Sequence, residues 1–309
     1  MKDKKFKITP QKLRNIGGKT IIFLLMVGLS YVVLFPLFVK VSSSLMSEKD
    51  LYDVAVALVP REFSLESFKY VLYYESFIPS VLNSLYFAIC VSLCTVTSST
   101  LVGYGLARFK FKGAKLCLVA LLATMLVPSI TTWVPMYEKF RYFDIFGIIT
   151  AIKGEPLNLT STVIPIILLS LTCLGFKGGI HALLMRQYFA GVPYEISEAA
   201  QVDGANAFKT FILIMLPMAR SMMIVVFILS FVWRWAATYF VNIFYGSKQL
   251  LPNMVLELAG REMSSDAQYY LGFVYANAAA LIAILPPLAI YIIFQRKIIG
   301  GIERAGLGG

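Results

Sequence analysis

The chain is short of charge. Lys, Arg, Asp and Glu make up 15% of its 309 residues, against about 25% in an average soluble domain. Histidine is rarer still: His181 stands alone, so a His-based metal site lacks its second imidazole. The four cysteines, Cys90, Cys94, Cys117 and Cys173, all fall within apolar segments, which suits reduced core thiols rather than a disulfide framework. Acids are missing from the apolar runs, which argues against a membrane protease, a proton relay or a carboxylate-driven secondary transporter. The nearest approach to a phosphate loop, Gly17-Gly18-Lys19-Thr20, has Leu13 where the first glycine should stand and precedes an apolar run instead of following a strand. No small-residue cleavage site follows that run, so it is kept as a span and not as a signal peptide. No repeat of 20–50 residues stands out. No enzyme chemistry, metal or cofactor is expected.

Hydrophobic residues are abundant, at 58% of the chain with 14% aromatic. Windows of about 19 apolar residues predict six spans, near 20–41, 81–106, 116–137, 160–188, 211–233 and 273–294. The expected fold is therefore all-α and polytopic. The net charge of +11 does not point to nucleic acid, because apolar runs separate the cations. It reads as topology. The tail 1–19 holds Lys2, Lys4, Lys5, Lys7, Lys12, Arg14 and Lys19 against Asp3 alone, and Arg108, Lys110, Lys112 and Lys115 follow the second span. Both regions are expected in the cytoplasm by the positive-inside rule. The loop 42–80 carries six acids and three bases and is expected outside, and Arg296, Lys297 and Arg304 keep the tail 295–309 inside. Residues 81–294 would form a five-helix core.

The fourth span is interrupted. Gly175-Phe176-Lys177-Gly178-Gly179 separates two apolar stretches, and each glycine weakens a helix by about 1 kcal/mol relative to Ala. Irregular backbone at membrane depth is tolerated where protein or a water-filled cavity covers it. Lys177 at such a break reads either as a pathway residue or as a side chain at an interface.

The most informative stretch is the loop 191–217 between the fourth and fifth spans. Pro193 can open a helix, Glu195 and Glu198 suit its positive end, and Gly204 is a good stop. A short helix over about 193–203 follows, and Asn206 can cap a second one. The small pair Ala199-Ala200 would let another backbone come close. Glu198-Ala199-Ala200, then Gly204, Ile214 and Leu216-Pro217 resemble the EAA loop of the permease subunits of binding-protein-dependent ATP-binding-cassette (ABC) importers.

The resemblance extends over nearly the whole chain after the first span. Asn83-Ser84-Leu85, Gly103-Tyr104-Gly105-Leu106-Ala107-Arg108, Val127-Pro128, Phe231-Val232-Trp233-Arg234-Trp235, Ala283-Ile284-Leu285-Pro286 and the Gly-rich end from Gly300 look like the sugar-importing branch, related to the smaller permease of the maltose type. That resemblance implies the type I permease fold and a loop docking on the ATPase. Glu198 would pair with a basic residue, Ala199 and Ala200 would make the tight contact, Gly204 would turn the chain, and Glu195, Asp203 and Ala205 share the loop. It also implies a homologous second permease, two ATP-binding subunits, a solute-binding protein and the lipid bilayer as partners. Lys177, Trp233, Trp235, Tyr239 and Asn277 are the candidate pathway residues. Trp233, Trp235 and Tyr239 could stack on sugar rings or form an interface belt, and the residues favour the belt. Two departures stand out: the polar stretch 153–160, read as an insertion, and Arg234, where relatives often carry Asn. A peptide or oxyanion permease is the alternative.

Overall fold

A computed structural model of the chain describes residues 10–53, 55, 56, 58–245, 250–260 and 266–306. Among these residues there is no strand, only isolated bridges pairing Met46 with Phe63 and Phe143 with Leu157. The helices in order are α1 (Pro10–Ser44), α2 (Glu48–Tyr52), α3 (Glu66–Tyr73), α4 (Phe77–Arg108), α5 (Ala114–Leu126), α6 (Ser129–Arg141), α7 (Ile148–Lys153), α8 (Ile164–Leu171), α9 (Gly178–Gly191), α10 (Tyr194–Val202) and α11 (Ala207–Thr210). A π turn (Phe211–Met215) leads into α12 (Leu216–Met218), followed by α13 (Arg220–Trp235), α14 (Tyr239–Tyr245), α15 (Leu251–Gly260) and α16 (Asp266–Gly306).

Among the described residues, three helical segments are long and apolar enough to cross a membrane: Gly18–Ser44, Phe77–Arg108 and Leu271–Lys297. They coincide with the expected first, second and sixth spans. The third and fifth are bent pairs instead of straight helices, which brings the total to five if each pair counts as one span. In the third, Val127 takes extended backbone before Pro128 and ends α5, because a proline ring pushes the preceding residue out of the helical region. In the fifth, the bend between Ala207–Met218 and Arg220–Trp235 is 70°. It follows Pro217, which has no N–H to donate, and the Leu216 N–H reaches back five residues to the Phe211 carbonyl. The fourth breaks between α8 and α9.

The chain divides into two compact units. One comprises residues 1–74 with 256–282. Along α1 the large side chains from Ile21 to Leu34 are at least half exposed, an arrangement that water would penalise and lipid would not. In the same unit Tyr70 stacks on Tyr275 at 3.9 Å, and Asp50 accepts from the Arg61 and Glu62 amides at 2.8 and 2.9 Å.

The second unit comprises 75–255 with 283–309 and is built around α4. That helix buries small residues, Ser84, Ala88, Ser92, Ser98, Ser99 and Gly103, which is how membrane helices approach closely where lipid removes the hydrophobic drive. A Cβ on Gly103 would lie 2.6 Å from Met185 Cβ and 2.7 Å from the Arg186 nitrogen, so only glycine admits α9 here. The Ser98 hydroxyl donates to the Ser170 carbonyl at 2.6 Å, and the Leu251 amide donates to Ser84 Oγ at 2.7 Å. One core cluster gathers Tyr104, Met185, Phe189, Phe211, Met215 and Met222. A second gathers Phe87, Val91, Phe140, Ile166, Phe244 and Leu250. The polar stretch 153–160 closes a small loop in which the Phe143 and Leu157 amides and carbonyls pair at 3.0 Å. There Asp144 accepts from Thr150 and from the Ile149 amide, and the Thr150 hydroxyl in particular holds its carboxyl below the usual carboxylate range. All four cysteines are free, but Cys117 is exposed and is not the core thiol expected, because the rest of the chain leaves that side of α5 uncovered.

Candidate functional site

Two places in the second unit carry the candidate residues. The first is the turn after α9. Pro193 stands at the N-cap of α10, one position earlier than expected, and Asp203 ends it. The Ala205 amide then donates to the Ala200 carbonyl at 2.9 Å and the Gly204 amide to Gln201 at 3.0 Å. With Gly204 at φ 82°, this is a Schellman closure, which needs a left-handed residue that glycine supplies without strain. Asn206 caps α11 through Oδ1, which accepts from the Lys209 amide at 2.8 Å.

The turn has two faces. Ile196 packs on the core cluster around Tyr104 and Ala200 is 4% exposed, so residues four apart anchor α10 to its own chain. Glu195, Glu198, Ala199, Asp203 and Gly204 are exposed, and Ala205 is half-buried. Of the two alanines, only Ala199 faces outward. Arg108, at the end of α4, fixes the entry to α10: its guanidinium donates to the Val192 carbonyl at 2.5 Å and lies 4.6 Å from the Tyr194 ring centre. The sequence marks Arg108 as part of a basic loop and of the motif from Gly103, but not as a partner of Val192, since a contact across 84 residues leaves no local trace.

The second place is the break between α8 and α9. Cys173 and Lys177 take the left-handed conformation at φ 58° and 59°, which costs a non-glycine residue roughly 1–2 kcal/mol. Beside the break lies a cavity of about 570 Å³ bounded by α5, α6 and the start of α9. Trp133, Met136, Phe176 and Lys177 are among its lining, and Lys177 is the only charged residue there among the described residues. The Lys177 ammonium sits 4.1 Å from the Trp233 ring centre, and His181 faces the same ring at 5.2 Å. Lys177 and Trp233 are thus brought together as pathway candidates. Trp235 is turned away: it is buried, stacks on Phe231 at 5.6 Å and donates its indole N–H to the Ala283 carbonyl at 2.9 Å. A membrane-interface belt does not describe it. Tyr239 opens α14, and its side chain lies outside the described residues. Asn277 belongs to the first unit, where it accepts from Lys40 at 2.7 Å and donates to Ser43 at 3.1 Å. Among the described residues no group of His, Cys, Asp and Glu could hold a metal.

The model of a protein family described as the binding-protein-dependent transport system inner membrane component matches residues 99–301, roughly two thirds of the chain. The chain belongs to that family. As a permease subunit of this kind it is a transport component and not an enzyme. Among its relatives, the inner membrane ABC transporter permease protein of Escherichia coli (strain K12) is 26% identical, with 90% of this chain and 92% of the relative covered. The maltose/maltodextrin transport system permease protein of Yersinia pestis is 28% identical over 97% of this chain and 95% of its own length. The fold of this permease is that of a solved bacterial ABC transporter involved in the import of the acidic polysaccharide alginate, at a TM-score of 0.71 and 17% identity, covering 91% and 96% of the two chains.

Proposed function

We propose that this permease forms half of the translocation pathway of an ATP-driven importer for a sugar or oligosaccharide, and that cytoplasmic ATPases drive it through α10. The observation that carries the reading is the closed turn at Asp203–Asn206, which holds α10 rigid while presenting Glu195, Glu198 and Ala199 outward. An anchored inner face and a bare outer face are what a lever on a partner protein requires. Ala200 sets how closely α10 lies on its own body, and Ala199 leaves room for the partner. The spacing from Glu198 to Pro217 and the family match support the coupling role. The choice of sugar rests on the relatives, one of which transports maltose and maltodextrin by its description.

On this reading six spans cross the membrane with both termini inside. A homologous permease completes the pathway, two ATP-binding subunits supply energy, and a solute-binding protein delivers the solute from outside. The test is ATP-dependent uptake by the assembled importer in proteoliposomes. Glu198→Lys should lower uptake by about 100-fold or more, since like charges placed together at an interface cost several kcal/mol, while insertion and partner-permease assembly stay normal. Wild-type uptake by that variant would remove α10 from the coupling role.

A further inference from the structure

The cavity at the break has an unusual charge inventory. Among the described residues its lining is apolar and aromatic except for two threonines, backbone groups and Lys177, and contains no carboxylate. On the importer reading Lys177 stands at a break within the fourth span, where an exposed ammonium is expensive and is ordinarily matched by an acid or a functional anion. Here the ammonium rests on Trp233 and, at 5.5 Å, near Phe176, contacts that stabilise a cation without neutralising it. Two further nitrogen-bearing side chains stand behind it. Arg234 is 3% exposed, its guanidinium carbon 5.8 Å from the Phe176 ring centre. Its Nη2 would come within 3.2 Å of a Cβ at Gly175, so the guanidinium packs against the bare backbone of a cavity-lining residue. His181 is 1% exposed and neither ring nitrogen has a hydrogen-bond partner among the described residues.

Two cations, Lys177 from the break and Arg234 from α13, converge on the Phe176 ring, and the cavity opens beside them. We propose that this cavity receives a saccharide carrying an anionic group, a carboxylate or a phosphate, with Lys177 as its direct partner and Arg234 adding positive field from behind Gly175. Trp133 and Phe176 line the cavity, and aromatic surface of this kind suits the C–H face of a sugar ring. The volume of about 570 Å³ is within the range of small-ligand pockets and suits one or two sugar units. The proposal rests on the importer reading given above and narrows its solute to an acidic sugar.

The three tryptophans of the chain are Trp133, Trp233 and Trp235. The first lines the cavity and the second carries Lys177, so intrinsic emission of the full chain in nanodiscs reports on this site. Titration with digalacturonate, galactose 6-phosphate and neutral galactobiose should give saturable binding of at least one anionic probe at least about tenfold tighter than the neutral one, the scale of one hydrogen bond to a charged group. Whichever anion wins identifies the group. Lys177→Met should remove that preference and Lys177→Arg should keep it within about threefold, with circular dichroism showing both variants folded. Equal binding of all three probes, no saturable response, or a preference that survives Lys177→Met overturns the proposal. Uptake by the assembled importer separates the two readings: ATP-driven uptake restricted to neutral sugars sinks this inference alone, whereas selective anion binding without ATP-driven uptake sinks the importer reading.

Discussion

The break before α9 and the turn after α10 both interrupt helices, and they use glycine in opposite ways. In the turn, Gly204 carries the positive φ itself and a Cβ there would meet nothing within 4 Å. In the break, Cys173 and Lys177 carry the positive φ and the glycines serve for space. A Cβ on Gly178 would overlap the Cys173 carbonyl, and one on Gly179 would lie 2.9 Å from Met125 and Thr124 side-chain atoms. One interruption is unstrained and open, the other strained and enclosed. Open space around a rigid turn is room for a partner, whereas strain held by packing is a mark of functional sites. On the proposed reading, the comparison separates a surface meant for another subunit from an interior meant for a solute.

That contrast can be broken by substitution. Gly178→Ala should have the largest effect, about 3 kcal/mol as overpacking against backbone, seen as a lower thermal midpoint and yield of the detergent-solubilised subunit. An unchanged midpoint would show that the break is not enclosed. Gly204→Val should cost less stability, about 1–2 kcal/mol for a forced left-handed residue, yet should eliminate ATP-dependent uptake. If its uptake survives, the turn is not a coupling element. Asn206→Ala should lose about 1 kcal/mol through the missing cap, with uptake reduced but measurable. Lys177→Gly should be nearly neutral in stability, within about 0.5 kcal/mol, because relief of left-handed strain offsets the added unfolded-state freedom. Its solute binding should still fall at least about tenfold, the cost of a charged hydrogen bond; a large stability change instead would make Lys177 a structural residue.

Much of this was legible from residue order because it depends on neighbours. The apolar windows located α1, α4 and α16, although each helix runs several residues past the window. Pro193, Gly204 and Asn206 bounded α10 and α11 to within a residue or so, since caps are local devices. The glycine cluster announced the break, which begins three residues earlier, at Thr172, where α8 ends. Pro128 also held a local signal, outweighed by the unbroken apolarity of residues 116–127. What stayed hidden is what folding brings from afar: Arg108 on Val192, Trp235 on Ala283, Arg234 behind Gly175, and the inward face of Ala200. Hydropathy tells that a residue leaves water, and not whether lipid or protein receives it, which is why Trp235 reads as a belt residue and Cys117 as core.

Gly103 gives α9 a mechanical character. The helix from Gly178 to Gly191 is a rod of 14 residues, about 21 Å long at 1.5 Å per residue. Gly103 touches its backbone at Met185 and Arg186, near the midpoint. The rod is also gripped towards both ends, Gly179 against Met125 and Thr124 and the Tyr188 hydroxyl on the Met218 carbonyl, so it moves as one piece: on the coupling reading, a push arriving from Pro193 at Gly191 would reach Lys177 along the helix axis.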